Sequence, residues 1–201
     1  MITRKKFDLI KEKHGKYCSW AIWTHEDKKA KSNMGDLTVL DPEINNNLLS
    51  NLNPNVVLVA LNFSMVVDHE PFGNFHSDGT HRQDYKTRYA LRDSQFWGGY
   101  MTDIIKNFPE KESGNVANYL KSHKDFEKEN IGFFRQELQD IGAENPIIVA
   151  FGDIVYDILA RNFHDEFKIL KMTHYAHFIS KEKLKEEVLT LENEHLEKWN
   201  Q

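Results

Sequence analysis

Pro146-Ile147-Ile148-Val149-Ala150-Phe151-Gly152-Asp153 is the stretch on which the fold class turns. An unbroken apolar run closed by glycine, and followed from Asp153 to Leu159 by a helical pattern, reads as a strand, a tight turn and a helix. A strand without polar alternation is covered on both faces, as in a parallel sheet. Val56 to Leu61 repeats the pattern and ends at Asn62-Phe63-Ser64. Three further strand candidates are Tyr17 to Trp23, Tyr100 to Ile105 with Thr102-Asp103, and Phe167 to Met172 leading into Thr173-His174.

Helical spacing fills the intervals. Phe126 to Ile141 places Ile131, Phe134, Leu138 and Ile141 on one face, and Lys181 to Trp199 does the same with Leu184, Val188 and Leu191. Phe7 to Lys13 is amphipathic, and Asp41-Pro42 reads as N-cap and first position of a helix over Glu43 to Leu52. Asn107 to Lys124 is polar and is expected to be a loop. Strands alternating with helices predict an α/β fold, a three-layer α/β/α sandwich around a central, mostly parallel sheet.

With 201 residues the chain is read as one domain over 1–201. Its 40% apolar and 28% charged residues are those of an ordinary globular protein. No apolar stretch reaches the roughly 18 residues that span a bilayer, and Met1 to Lys13 lacks a signal-peptide core, so no membrane partner and a cytoplasmic location are expected. The single Cys18 excludes an internal disulfide and a four-cysteine cluster. A net charge of −5 argues against a protein that holds nucleic acid mainly through global positive charge, although a local basic strip acts within about 10 Å.

In open parallel sheets, ligands bind outside the carboxyl ends of the strands. The strand candidates put Asn62, Asp103 and His174 near those ends. Ser64 to Phe96, an aperiodic segment rich in Gly, His, Asp and Arg, is too long for a plain connector and is the first place to look for a site.

At these residues the chain resembles the uracil-DNA glycosylase superfamily, in outline its mismatch-specific and single-strand-selective branches. Ala60-Leu61-Asn62-Phe63-Ser64 is similar to a strand ending in Asn-Pro-Gly, and Pro71-Phe72-Gly73 to the loop whose aromatic stacks on the base. Met101-Thr102-Asp103-Ile104-Ile105-Lys106 resembles the Thr-containing strand, and Glu144-Asn145-Pro146 through Gly152 the next motif. His174-Tyr175-Ala176-His177-Phe178-Ile179-Ser180 resembles the His-Pro-Ser loop that enters the minor groove. The likeness spans roughly residues 56–180. It departs at Phe63 and Ser64, in place of Pro and Gly, and at Tyr175-Ala176, in place of Pro-Ser.

The resemblance implies hydrolysis of the N-glycosidic bond of a modified or mismatched base in DNA, without metal or other cofactor. Asn62 and His174 are then the catalytic pair: Asn62 orients water, while His174 donates to the base oxygen as negative charge grows there. Phe72 or Phe75 stacks on the flipped base and Asp103 reads its edge. Arg82, Lys86, Arg88, Arg92 and His177 face the nucleic acid. Each has a plainer alternative: a turn-closing Asn, a structural His, core phenylalanines, a capping Asp, and a solvated helix face in which Asp84 and Asp93 interleave with the basic residues. His174 and His177 with His76 or His81 as metal ligands is a lesser alternative. At the level of function the alternative is an inactive or repurposed relative that binds nucleic acid, a nucleotide or a protein through the same cleft.

Overall fold

Val57 to Val59 are wholly buried, as an uninterrupted apolar strand requires. In a computed structural model of the chain, which describes residues 1–64 and 69–195, the elements run α1 (Arg4–His14), β1 (Cys18–Trp20), a 3-10 turn (Leu37–Leu40), α2 (Leu48–Asn51), β2 (Asn53–Ala60), α3 (Asp84–Leu91), β3 (Gly99–Asp103), α4 (Ser113–Ser122), α5 (Lys124–Ile141), β4 (Ile147–Phe151), α6 (Asp153–Phe163), β5 (Lys168–Met172) and α7 (Lys181–His195). The sheet has the order β1-β3-β2-β4-β5. β1 is antiparallel to β3, and every other pairing is parallel. The fold is therefore α/β with a mixed, mostly parallel sheet.

Alternation along β2 separates two apolar clusters. Val57 and Val59 join Phe7 and Ile10 of α1, Phe134 and Leu138 of α5, and Ile158 and Leu159 of α6. Val56, Leu58 and Ala60 join Met101, Val149, Leu170, Ala90 and Leu91 of α3, and Leu184 and Val188 of α7. From β2 the chain moves to β3 on one side and later to β4 on the other, so the strand order reverses between β2 and β4. A crevice opens at such a reversal, beyond the carboxyl ends of the strands.

Three expectations are corrected. The helix anticipated over Glu43 to Leu52 shrinks to α2. Asp41 does accept from the Glu43 amide at 2.8 Å, but Asn45 donates to the Val39 carbonyl and accepts from the Asn47 amide, so side chains compete with helical bonds. The loop anticipated over Asn107 to Lys124 contains α4, whose buried stripe is only Val116 and Leu120. Residues 84–91 of the aperiodic segment form α3, which buries Asp84, Lys86, Thr87 and Arg88 beside Ala90 and Leu91, so its inward face is polar over the first turns and apolar only at its end. The end of the anticipated last helix, at Trp199, lies outside the described residues.

Candidate functional site

β2 delivers Asn62 to the carboxyl edge of the sheet. Its amide nitrogen donates to the carbonyls of Phe63 (2.8 Å), Phe108 (2.8 Å) and Glu110 (2.9 Å), which pins the segment after β3 against the end of β2. Those bonds fix the amide's orientation, and no donor among the described residues reaches Oδ1. The side chain is thus a clamp with one acceptor in reserve.

β5 delivers His174. The Ala176 amide donates to His174 Nδ1 at 3.0 Å, so the ring hydrogen of the neutral form sits on Nε2. Burial, with His177 close by, lowers the His174 pKa to about 4, and the imidazole is neutral at physiological pH. One face stacks on Tyr175, with ring centroids 4.4 Å apart and 22° between planes, and Phe151 approaches edge-on at 6.2 Å. The backbone beneath is Gly152 at φ +91°, where an added Cβ would touch His174 Cβ at 3.7 Å. β4 lies between β2 and β5, so Asn62 and His174 follow parallel strands that flank a common neighbour. No contact joins the two side chains.

β3 delivers Asp103, 2% exposed. Asn74 Nδ2 donates to Asp103 Oδ2 at 2.9 Å and also to the Tyr17 carbonyl at 3.0 Å. Burial raises the Asp103 pKa to about 7, against the opposing pull of Asn74 and Lys106 and with help from Glu137 and Asp84. Asp84, in the first turn of α3, is pushed by burial to about 6 although it accepts from the Ser77 amide at 2.9 Å. Burial, with Asp84 and Asp103 nearby adding to it, holds the Tyr175 phenol pKa well up. Two buried carboxyls with raised pKa, a phenol and a neutral imidazole therefore gather where three strands end, the kind of perturbed cluster that marks functional sites.

The pair has a measurable consequence. Each carboxyl binds its proton more tightly in the folded than in the unfolded chain. Their contribution to stability is full below about pH 4 and is lost as pH rises through about 6 to 7. Asp103→Asn should gain stability relative to the native chain across that window, by up to about 1.4 kcal/mol per pH unit. Denaturant titrations from pH 4 to 8 would read it, and a constant difference would contradict the raised pKa.

Other assignments move. Phe72 is 1% exposed and packs on Phe7 of α1 with centroids 5.3 Å apart, and Phe75 is 5% exposed in the cluster with Trp23 and Met34. Both are core residues, because their backbones, at φ +72° and +67°, are held by Phe72 N–H to the Gly15 carbonyl, Ser19 Oγ to the Phe72 carbonyl, and Trp23 Nε1 to the Phe75 carbonyl. The aromatic left half-buried beside the site is Phe63, stacked on Tyr17 at 5.3 Å with His69 edge-on at 5.8 Å.

Arg88 and Arg92 also turn inward. Arg88, 1% exposed, donates to the carbonyls of Thr24, Ala30 and Ser32 at 2.8–2.9 Å, and Arg92 pairs with Glu26 at 2.5 Å. Neither presents itself to phosphate; both hold the segment after β1. Arg88→Met should accordingly lower stability by about 2–3 kcal/mol while leaving the salt dependence of any nucleic-acid binding unchanged. A stable variant with a reduced salt slope would restore the phosphate role. Arg82 donates to Ser64 Oγ at 3.0 Å, Lys86 Nζ to the His177 carbonyl at 3.4 Å, and His177 itself is exposed. Among the described residues no group of three His, Cys, Asp or Glu side chains is arranged to hold a metal ion.

Sequence reasoning missed Asp84, Asn74 and Tyr175. Asp84 carried a usable signal as an acidic residue in the first turn of a helix, but that helix was read only as a solvated alternative, whereas α3 buries Asp84. Comparison of the chain with protein-family models, curated proteins and solved structures finds no match.

Proposed function

We propose that the protein hydrolyses the N-glycosidic bond of a modified or mismatched base in DNA, at the carboxyl edge of a three-layer α/β/α sandwich of uracil-DNA glycosylase type. The two apolar clusters on alternate sides of β2 support the layering. The observation that carries the chemistry is the state of His174: neutral, with Nδ1 occupied by the Ala176 amide and Nε2–H left to donate. A departing base becomes anionic, and a fixed donor that needs no reorganisation stabilises it most at that moment.

The remaining parts fit the same reaction. Asn62 Oδ1 is an oriented acceptor suited to holding a water, and Asp103 accepts from, or when protonated donates to, a base edge. Phe63 offers a stacking face. Phe178, in the loop that carries His174, is fully exposed, as suits an apolar wedge that fills the gap left by a flipped base.

The test is incubation of the purified protein with oligonucleotides bearing uracil, hypoxanthine, xanthine or a thymine mismatch, followed by alkali to cleave abasic sites. Strand breaks that require the protein are expected. Salt-dependent binding without base release would replace the enzyme by the binding relative, and absence of both would overturn the reading.

A further inference from the structure

Asp103 has two side-chain oxygens, and a hydrogen bond within the chain already claims one of them. We propose that Asn74 is a positioning residue that holds Asp103 Oδ2 and so leaves Oδ1 as the one oxygen with which the carboxylate accepts an N–H from the edge of a base. This rests on the proposed hydrolysis of a base in DNA and deepens it by naming the kind of edge that is read.

The register of the sheet sets up the contact. Cys18 of β1 lies opposite Thr102 of β3 and the two strands are antiparallel, so Tyr17, one residue before, falls beside Asp103, one residue after. Asn74 bridges the two: its Nδ2 donates to the Tyr17 carbonyl at 3.0 Å and to Asp103 Oδ2 at 2.9 Å, while its Oδ1 accepts from the Phe75 amide at 3.2 Å. Both amide hydrogens are used. Turning the amide over would set its oxygen against a carbonyl and a carboxyl, so the donor stays on the Asp103 side. The turn that carries Asn74 is itself fastened on both sides, by the Phe72 amide to the Gly15 carbonyl and by Trp23 Nε1 to the Phe75 carbonyl.

No donor among the described residues reaches Asp103 Oδ1, and Lys106 Nζ bonds the Asp103 main-chain carbonyl and Glu137 rather than the side chain. A carboxylate only accepts, and with Oδ2 taken it offers one point of contact, suited to one N–H and not to an edge that must also be given a hydrogen. A bond from N–H to a charged acceptor belongs to the stronger class. The same bridge reaches the stacking face, because the Tyr17 whose carbonyl Asn74 holds stacks on Phe63 at 5.3 Å. Around the carboxyl stand Lys106 just beyond β3, Glu137 of α5, Asp84 of α3 and Tyr175 beyond β5.

Two measurements on the full chain test this. The first needs no ligand: carbon NMR of the Asp103 carboxyl across pH should show a midpoint of about 7 in the native chain. Asn74→Leu removes a donor to the ionised form and should raise that midpoint by about one pH unit. Asn74→Asp keeps the shape but sets a second carboxyl against the first, and should raise it at least as far. An unmoved midpoint in either variant that folds would overturn the inference. The second compares, just above the native midpoint, binding of two single-stranded oligonucleotides that carry uracil or N3-methyluracil on a 2′-fluoro sugar; the fluorine disfavours a cationic sugar and keeps both intact. The methyl group takes away the N–H and should weaken binding to the native chain about tenfold or more, and Asn74→Leu should shrink that difference. Equal affinities in the native chain, absence of binding to both, or the same difference in Asn74→Leu would each overturn the inference. Neither measurement follows base release, so a protein that passes both yet hydrolyses nothing would keep this role for Asn74 and lose the glycosylase reading.

Discussion

Glu137→Leu is expected to destabilise the protein by about 3–5 kcal/mol, the range for stranding one member of a buried ion pair. Glu137 of α5 is completely buried and faces the sheet, where it accepts from Lys106 Nζ at 2.9 Å, Thr102 Oγ1 at 3.0 Å and the Tyr100 hydroxyl at 3.2 Å. Leucine fills most of the volume but answers none of these donors. Lys106, 5% exposed, would keep as hydrogen-bond acceptor the Asp103 carbonyl, to which it donates at 2.6 Å, with the Tyr17 ring 6.0 Å away, and a cation so placed is poorly compensated in an apolar interior. The expected fall in melting temperature is about 6–20 °C for a chain of this size. Adding Lys106→Met should recover much of the loss, since removing both charges avoids the stranded one. A Glu137→Leu protein within about 1 kcal/mol of the native one would mean that water reaches the pair.

Under the proposed hydrolysis, His174→Ala should slow base release in a single turnover by a factor on the order of a hundred or more. The imidazole is neutral and its Nδ1 is engaged, so the lost function is one Nε2–H bond to the departing base. That bond is weak while the base is still attached and neutral, and strong once charge has moved onto it. Affinity for the abasic product should therefore change far less than the rate. His174→Gln, which keeps a side-chain N–H of similar reach, should retain part of the rate. Equal losses in rate and product affinity would make His174 a binding residue only.

The strand ends could be read because the physics there is local. Ile147 to Phe151 and Val56 to Ala60 are apolar without interruption, and a run of that kind has few places to go except between two layers. That placed Asn62, Asp103 and His174 at the carboxyl edge. What escaped depends on partners remote in sequence. α3 was obscured because four of the six residues it buries are Asp84, Lys86, Thr87 and Arg88, three of them charged, and only Ala90 and Leu91 at its end are apolar. Phe72 and Phe75 were misassigned because both sit in left-handed backbone, rare for aromatic residues, which turns their rings away from the site and under α1 and Trp23. Tyr175 stood out only as a departure from a pattern, and its stacking on His174 is set by the conformation of the loop.

The position of β1 also bears on how the chain reaches this state. Its only ladder among the described residues is with β3, Cys18 opposite Thr102, and α1 before it packs on α5. During synthesis α1 and β1 leave the ribosome with their apolar faces and strand edge unmatched, and they stay so until β3 and α5 have followed. β2 likewise waits for both of its neighbours. Native pairing of this kind closes long loops before it rewards them, which slows folding and leaves early segments open to intermolecular association. The half-made chain, with Trp20, Ile22 and Trp23 still uncovered, is the form in which this protein is most exposed to aggregation.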